Sequence, residues 1–255
     1  MKILSYNVNG IRAAIKKDLL GYLEESKAGI VCIQELKAMQ EQVDMEAVEN
    51  LGFKHYWYSA QKKGYSGVGI WSKMEPLHVE YGCGHELFDF EGRVIRLDFE
   101  EFSVISAYFP SGTTGDVRQD IKYEFLDYFF DYIEDLRNSI PNLIICGDYN
   151  ICHKAIDIHN PVSNKNSSGF LPEEREWMDK WFENGMIDSL RRFNPEPHLY
   201  TWWSYRANAR ANNKGWRIDY ISVTEEMESK IQNSGIDAQA IHSDHCPSWV
   251  IINEK

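Results

Sequence analysis

The stretch LIICGDYNICH, residues 143–153, can be read as two incompatible chemistries. Cys146, Cys152 and His153 look like the start of a zinc site, whereas Asp148 and Asn150 are polar groups at the mouth of a buried strand. Three further apolar runs end in the same way. SYNVNG supplies Asn7 and Asn9, CIQE supplies Glu35, and RIDY with the later HSDHCP supplies Asp219, Asp244 and His245. One such residue is ordinarily a cap or turn former. Four together call for another account, because a buried carboxylate without a partner is costly and otherwise shifts its pKa until it is neutral.

A zinc site needs three or four Cys, His or carboxylate ligands in a tetrahedral array. Cys146 lies inside an apolar run, where it acts as a small hydrophobe, and no second Cys or His cluster has zinc-finger spacing. Cys246, next to His245, could be the nucleophile of a Cys, His and Asp triad, but Pro247 and the run SWVII mark it as packing. Hard oxygen and amide ligands are what Mg²⁺ selects, since it dehydrates reluctantly and keeps several waters; Glu35, Asn7 and Asp244 fit that description. A histidine held by a carboxylate, as His245 would be by Asp219, is oriented and kept protonatable, which suits stabilising a phosphate.

Strand-like runs rich in Val, Ile, Tyr and Phe carry these groups: 2–8, 29–34, 68–72, 93–99, 103–109, 143–146, 217–223 and 248–252. Between them, 122–138 places Phe125, Leu126, Phe129, Ile133 and Leu136 on one helical face, with Pro141 just beyond. A second helix opens at Pro172, carries Trp177 and Trp181 four apart, and stops near Gly185. The short spacings around 64–109 do not suit a purely parallel βαβ fold; two sheets packed face to face with helices outside is the better expectation. GYSGVG at 64–69 precedes a strand rather than opening a helix, so it is not a nucleotide loop. Residues 160–169 are polar, without periodicity, and long for a connection.

At 255 residues and 43% apolar content the chain can bury a large core, and no linker divides it, so one domain over 1–255 is expected. Five cysteines without a CxxC pair argue against a disulfide framework and for a reducing compartment. No apolar run approaches membrane-spanning length, and Asn7 and Asn9 interrupt any signal-peptide core. A soluble cytoplasmic monomer with no membrane partner is the expectation. A net charge of -12 disfavours a nucleic-acid partner on its own. Its distribution restores one: residues 201–217 carry Arg206, Arg210, Lys214 and Arg217 without an acid, interleaved with Trp202, Trp203, Tyr205 and Trp216.

In order, spacing and context, SYNVNGIRA, IVCIQELK, YSGVGIWSK, EGRVIRLDF, SAYFPSG, CGDYNICH, IDIHNP, GWRIDYI and HSDHCP make the chain resemble, over essentially its full length, the exodeoxyribonuclease III family of abasic-site DNA endonucleases, within the DNase I-like phosphodiesterase superfamily. The resemblance implies an α/β fold, a four-layered αββα sandwich with its site at one edge of two mixed sheets. It implies that Glu35 binds the metal with Asn7 and Asp244 at or near it, and that Asp148, assisted by Asn150, orients or deprotonates the attacking water. It makes Asp219 and His245 a dyad on the scissile phosphate, which Tyr108 also reaches. Trp202, Trp216 and Ile218 match an apolar pocket for a flipped-out sugar that lacks its base. Arg12, Lys17 and Tyr65 match backbone-contacting positions, and Asn164 lies in the polar loop that approaches the phosphate.

The implied activity is Mg²⁺-dependent cleavage 5′ to abasic sites in double-stranded DNA, with cleaning of blocked 3′ ends and 3′→5′ exonuclease action; Mn²⁺ is the alternative ion. A phosphoinositide or sphingomyelin phosphodiesterase of the same superfamily, or an inactive DNA-binding protein, are the competing readings. Four positions depart from relatives: Asn9 where some carry aspartate, Ser111 and Ser167 where some carry asparagine, and Thr114 where some insert an arginine into DNA. These bear on metal and DNA affinity rather than on the reaction class.

Overall fold

A computed structural model describes residues 1–253. Its twelve strands are β1 (Lys2–Asn7), β2 (Ile30–Gln34), β3 (Lys54–Tyr58), β4 (Val68–Ser72), β5 (His78–Tyr81), β6 (Val94–Asp98), β7 (Ser103–Tyr108), β8 (Leu143–Asp148), β9 (Met186–Asp188), β10 (Asp219–Thr224), β11 (Ile231–Ile236) and β12 (Ser248–Ile252). They form two six-stranded sheets, ordered β11-β12-β1-β2-β4-β3 and β5-β6-β7-β8-β10-β9. Each sheet has one parallel pair at its centre, β1 with β2 and β7 with β8, and antiparallel pairs on both sides. The two sheets therefore share one pairing pattern. Both are mixed, as the short spacings around 64–109 implied.

The helices are α1 (Ile11–Lys16), α2 (Leu19–Ser26), α3 (Met45–Glu49), α4 (Glu86–Phe90), α5 (Asp116–Arg137), α6 (Pro161–Asn164), α7 (Pro172–Glu183) and α8 (Ser189–Phe193). Three apolar cores separate four layers. Between the sheets lie Ile3, Cys32, Ile70, Val104, Cys146 and Val250. Outside the first sheet, Leu4, Tyr6, Leu19, Leu23 and Trp71 pack under α1 and α2. Outside the second, the expected face of α5 (Phe125, Leu126, Phe129, Ile133) meets Trp177 and Trp181 of α7. This is the four-layered αββα sandwich. Among the described residues no helix is long and apolar enough to cross a membrane.

Two expectations need correction. Helix α5 begins at Asp116, six residues before Lys122, because Gly115 at φ 115 provides the break that starts it. The polar stretch 160–169 is not wholly irregular: Pro161 in the first turn starts the short helix α6, after Asn160 at φ 55. Strands β3, β5, β9 and β11 also lay outside the sequence reading. None is fully buried, so none has the continuous apolar run that marks β2, β4 or β8.

Candidate active site

Strand register assembles the chemistry. In the second sheet Tyr108 of β7, Asp148 of β8 and Asp219 of β10 lie in one cross-strand row. In the first sheet Asn7 pairs with Gln34, and Glu35 follows directly. All five thus stand at one end of the packed sheets. The close approach behind Asp148 needs Gly147, since a Cβ there would sit 2.2 Å from the Ala107 carbonyl oxygen. Glu35, Asn9 and Asn150 hold left-handed φ values of 53°, 45° and 54°. Non-glycine residues in that region cost energy and cluster at functional sites.

The Asn7 amide nitrogen donates to Glu35 Oε1 and Asp148 Oδ2, both at 2.8 Å, joining the two sheets. Asp148 Oδ1 accepts from the Asn150 backbone N–H at 2.8 Å, while the Asn150 side chain donates to the Phe109 carbonyl at 3.0 Å. Asp219 Oδ2 lies 2.9 Å from His245 Nδ1, and the other face of that imidazole, Nε2, lies 3.9 Å from Asp148. Asp219 is itself fixed by Thr201, whose hydroxyl accepts from the backbone N–H groups of Ile218 and Asp219 at 3.1 Å. Arg93 passes beneath Tyr108, 5.0 Å from its ring centre, and donates to its carbonyl at 2.7 Å.

The site carries more negative than positive charge. Burial, then repulsion from Asp219 and Glu35, raises the Asp148 carboxyl to about 8 despite the opposing effect of His245. Burial alone would lower His245; Asp219 first, then Asp148 and Asp244, outweigh it and hold the imidazole up at about 10. It is an imidazolium at neutral pH, with both nitrogens donors. Burial and the charges of Glu35 and Asp148 push the Tyr108 phenol well above its ordinary value, so it too remains a proton donor.

Oxygens of Glu35 and Asp148 and a nitrogen of His245 lie within 4.8 Å of one another, a group that could hold a metal ion. Because His245 is committed to Asp219 as an imidazolium, the available donors are two carboxylates. That set, completed by waters, fits a hard divalent cation. A cation already approaches: Lys37 Nζ is 2.5 Å from Glu35. Of the expected set of Asn7, Glu35 and Asp244, this group contains Glu35, and the other two stand beside it. Asp244 has both oxygens engaged, one by Asn9 at 2.9 Å and one by the Trp202 indole at 3.1 Å, and it is held below its usual value by His245, Asn9 and Trp202 against the effect of burial. Asn7 presents nitrogen rather than oxygen to Glu35.

A cleft of about 790 Å³ opens over these groups, with Trp202, Trp216 and Ile218 on one wall and Ser111, Gly112 and Ser167 on another. The two tryptophans meet edge to face with centroids 6.1 Å apart, backed by Cys152, Ile158 and Phe170. Cys152 is thus apolar packing beneath the wall, and His153 faces away, 2.6 Å from Asp179.

Arg12 lines the neighbouring groove with Gly10, Lys16, Lys37 and Gly64, and Lys17 is exposed beyond it. The Tyr65 hydroxyl accepts from Arg93 at 3.1 Å and Arg118 at 2.9 Å, so it belongs to a network behind Tyr108. Asn164 does not line the cleft: its amide donates to the carbonyls of His159 and Asn160, closing the turn of α6, and the loop faces the cleft with Asn166–Gly169 instead. The basic stretch also divides. Arg217 is buried, Arg210 donates to the carbonyls of Ser243, Ala238 and Ala240, and Arg206 and Lys214 remain exposed. Sequence reasoning missed Lys37 and Arg93. Each lies inside a quoted motif, IVCIQELK and EGRVIRLDF, whose other residues drew attention first.

The profile of the endonuclease/exonuclease/phosphatase family matches residues 4–245. The chain is 45% identical over 255 residues to an exodeoxyribonuclease of Bacillus subtilis (strain 168), covering 99% of this chain and 100% of that one. The chain belongs to this family, in its exodeoxyribonuclease III and AP endonuclease branch. A DNA-(apurinic or apyrimidinic site) endonuclease of Dictyostelium discoideum is 36% identical over 257 residues, covering 99% of this chain and 71% of that one. Among solved structures, a 3′-5′ exonuclease from Neisseria meningitidis superposes with a TM-score of 0.92 at 27% identity, covering 99% and 100% of the two chains. Membership makes the protein a nuclease, a metal-dependent hydrolase of phosphodiesters, and gives a frame for the carboxylates and imidazolium gathered at the sheet ends.

Proposed function

We propose that the protein is a Mg²⁺-dependent DNA-repair nuclease that cleaves the phosphodiester 5′ to an abasic site, clears blocked 3′ ends, and acts as a monomer on double-stranded DNA. One juxtaposition carries this reading: an apolar wall of Trp202, Trp216 and Ile218 stands in the same cleft as Glu35, Asp148 and His245. A sugar without its base can enter such a slot, while a full nucleotide carries a polar base that the wall cannot satisfy.

The scissile phosphate, anionic in the ground state, gains charge on its oxygens as water adds to phosphorus. His245 and Tyr108 are held as donors and face that charge; preorganised donors of this kind are each worth roughly 10²–10³ in rate. Asp148, fixed at Oδ1 by the Asn150 backbone N–H and at Oδ2 by Asn7, takes the proton of the attacking water in its ionised form, which gains ground as pH rises towards about 8, and aligns that water opposite the leaving 3′ oxygen. Glu35 and Asp148 would hold Mg²⁺, which as a Lewis acid supplies positive charge against the phosphate. Lys37 would then give up its contact with Glu35 and keep the one to Asn9 Oδ1, 2.6 Å away.

The test is incision of a duplex bearing one abasic analogue, beside an undamaged duplex, with Mg²⁺ and with EDTA. Cleavage only of the damaged strand, on its 5′ side and abolished by EDTA, is the expected outcome. An intact abasic duplex in Mg²⁺ would overturn the proposal.

A further inference from the structure

Away from the reacting groups, one fully buried ion pair holds two main-chain segments that line the cleft. Lys122 of α5 and Glu174 of α7 are 0% exposed, with Nζ 2.5 Å from Oε1. The Lys122 ammonium also donates to the main-chain carbonyl of Asn150 at 2.8 Å. The other oxygen of Glu174 accepts from the backbone N–H groups of Gly169 at 2.6 Å and Leu171 at 3.0 Å, while Gln119 donates to Oε1 at 3.1 Å. Gly169 packs so closely that a Cβ there would sit 3.1 Å from the Asn150 carbonyl oxygen. One pair of charges therefore grips the segment that aims Asp148 and the segment that presents Ser167–Gly169 to the cleft.

We infer that Lys122 and Glu174 are positioning residues: their ion pair sets the spacing between the Asp148–Asn150 turn and the Ser167–Leu171 loop, and so the aim of Asp148 at its water. The inference rests on the proposed nuclease reading. Asn150 is left-handed, and the peptide groups on both sides of it are held, one through its N–H to Asp148 and the other through its carbonyl to Lys122. Its N–H holds Asp148 Oδ1 and its carbonyl is held by Lys122, so rotating that residue moves the carboxylate. A fold needing only charge balance inside would accept a neutral pair of similar size. A clamp on two main-chain segments would not.

The double variant Lys122→Met/Glu174→Gln separates these, because it leaves no unpaired buried charge. Its kcat and KM on the abasic duplex are measured with its thermal melting curve. We expect a folded protein whose kcat falls about 10- to 100-fold, in line with the cost of a misplacement of about 1 Å, while KM changes less than about twofold. Glu174→Gln alone, whose single carbonyl oxygen cannot serve Lys122 and the loop amides together, gives a smaller loss in the same direction. A wild-type kcat in either folded variant, or activity lost only in proportion to the unfolded fraction, would overturn the inference. If the wild type leaves the abasic duplex intact, the functional proposal fails on its own; the clamp is then tested on a duplex with a blocked 3′ end or any phosphodiester the wild type cleaves.

Discussion

Asp148 and Asp157 are nine positions apart, both essentially buried, and their environments drive them in opposite directions. Asp157 takes both oxygens into a closed network: Arg217 donates to it at 2.8 and 3.0 Å, Arg191 at 2.5 Å, and the Lys154 backbone N–H at 3.0 Å. Arg217 also meets Asp188 at 2.8 Å, so two arginines balance two aspartates. Burial would raise Asp157, but Arg217 and then Arg191 lower it to about 2. Asp148 faces two more carboxylates and one imidazolium, and rises to about 8. Evolved cores complete their ion pairs because an unpaired charge is expensive inside. A buried cluster left short of positive charge is instead prepared to receive it, here from a metal ion and a proton.

The largest break in that comparison comes from Asp148→Asn. The amide keeps the shape and the contact with the Asn150 N–H but cannot take a proton, so single-turnover incision should fall by about 10³-fold or more while DNA binding stays measurable by anisotropy. Near-wild-type turnover would remove Asp148 from the chemistry. The matching change at the other aspartate, Asp157→Asn, leaves Arg217 and Arg191 short of charge inside. It should cost about 3–5 kcal/mol in denaturant unfolding while kcat per folded molecule is largely kept. Wild-type stability there would mean that the network is not structural.

A smaller effect sharpens the contrast through pH. Asp157 is depressed, so its contribution is present above its ordinary value of 3.8 and is lost as pH falls through about 2. Asp148 is raised, so its native form keeps a proton that the unfolded chain has released; this contribution is present below 3.8 and lost as pH rises through about 8. His245 acts in the same sense, its contribution fading only as pH rises through about 10. In EDTA the wild-type melting temperature should therefore decline from about pH 5 to about pH 8. In Asp148→Asn that decline should flatten, and a metal ion should oppose it in the wild type. An equal slope in the two proteins would contradict the raised carboxyl.

The sandwich was legible because both central strand pairs are apolar runs ending in polar groups, and the site was legible because those ends share one edge. Asp219 and His245 stand out in sequence as a carboxylate and an imidazole at strand ends; their 2.9 Å contact needed the fold. What could not be read was which charges turn inward. Arg206, Arg210 and Arg217 look alike in sequence, yet Arg217 opens a run buried throughout, from Arg217 to Thr224, and its guanidinium meets Asp157. Asn164 was similarly ambiguous, since an asparagine in a polar loop can serve a ligand or its own backbone, and here it closes α6. Lys122 sits six residues into α5 in a stretch of mixed charge, and only the packing of α7 shows that it is fully buried.

The smallest predicted effect tests the same division of charges at the surface. Arg206 is exposed and is held through its backbone, its N–H donating to the Ser204 hydroxyl and its carbonyl accepting from the Ala209 N–H, whereas the Arg210 guanidinium is engaged by three carbonyls and lies 4.6 Å from the Trp203 ring centre. Its release on binding DNA would break those contacts, so Arg210 is an anchor of the 204–214 loop rather than a phosphate ligand. Arg206→Ala should weaken binding to all duplexes alike and reduce the slope of log K against log salt by about one, with no change in melting temperature. Arg210→Ala should lower the melting temperature and leave the salt slope unchanged. If instead the two variants lose the same salt dependence, the buried and exposed arginines of this stretch act together on the phosphate backbone, and the distinction between completed and waiting charges ends at the cleft.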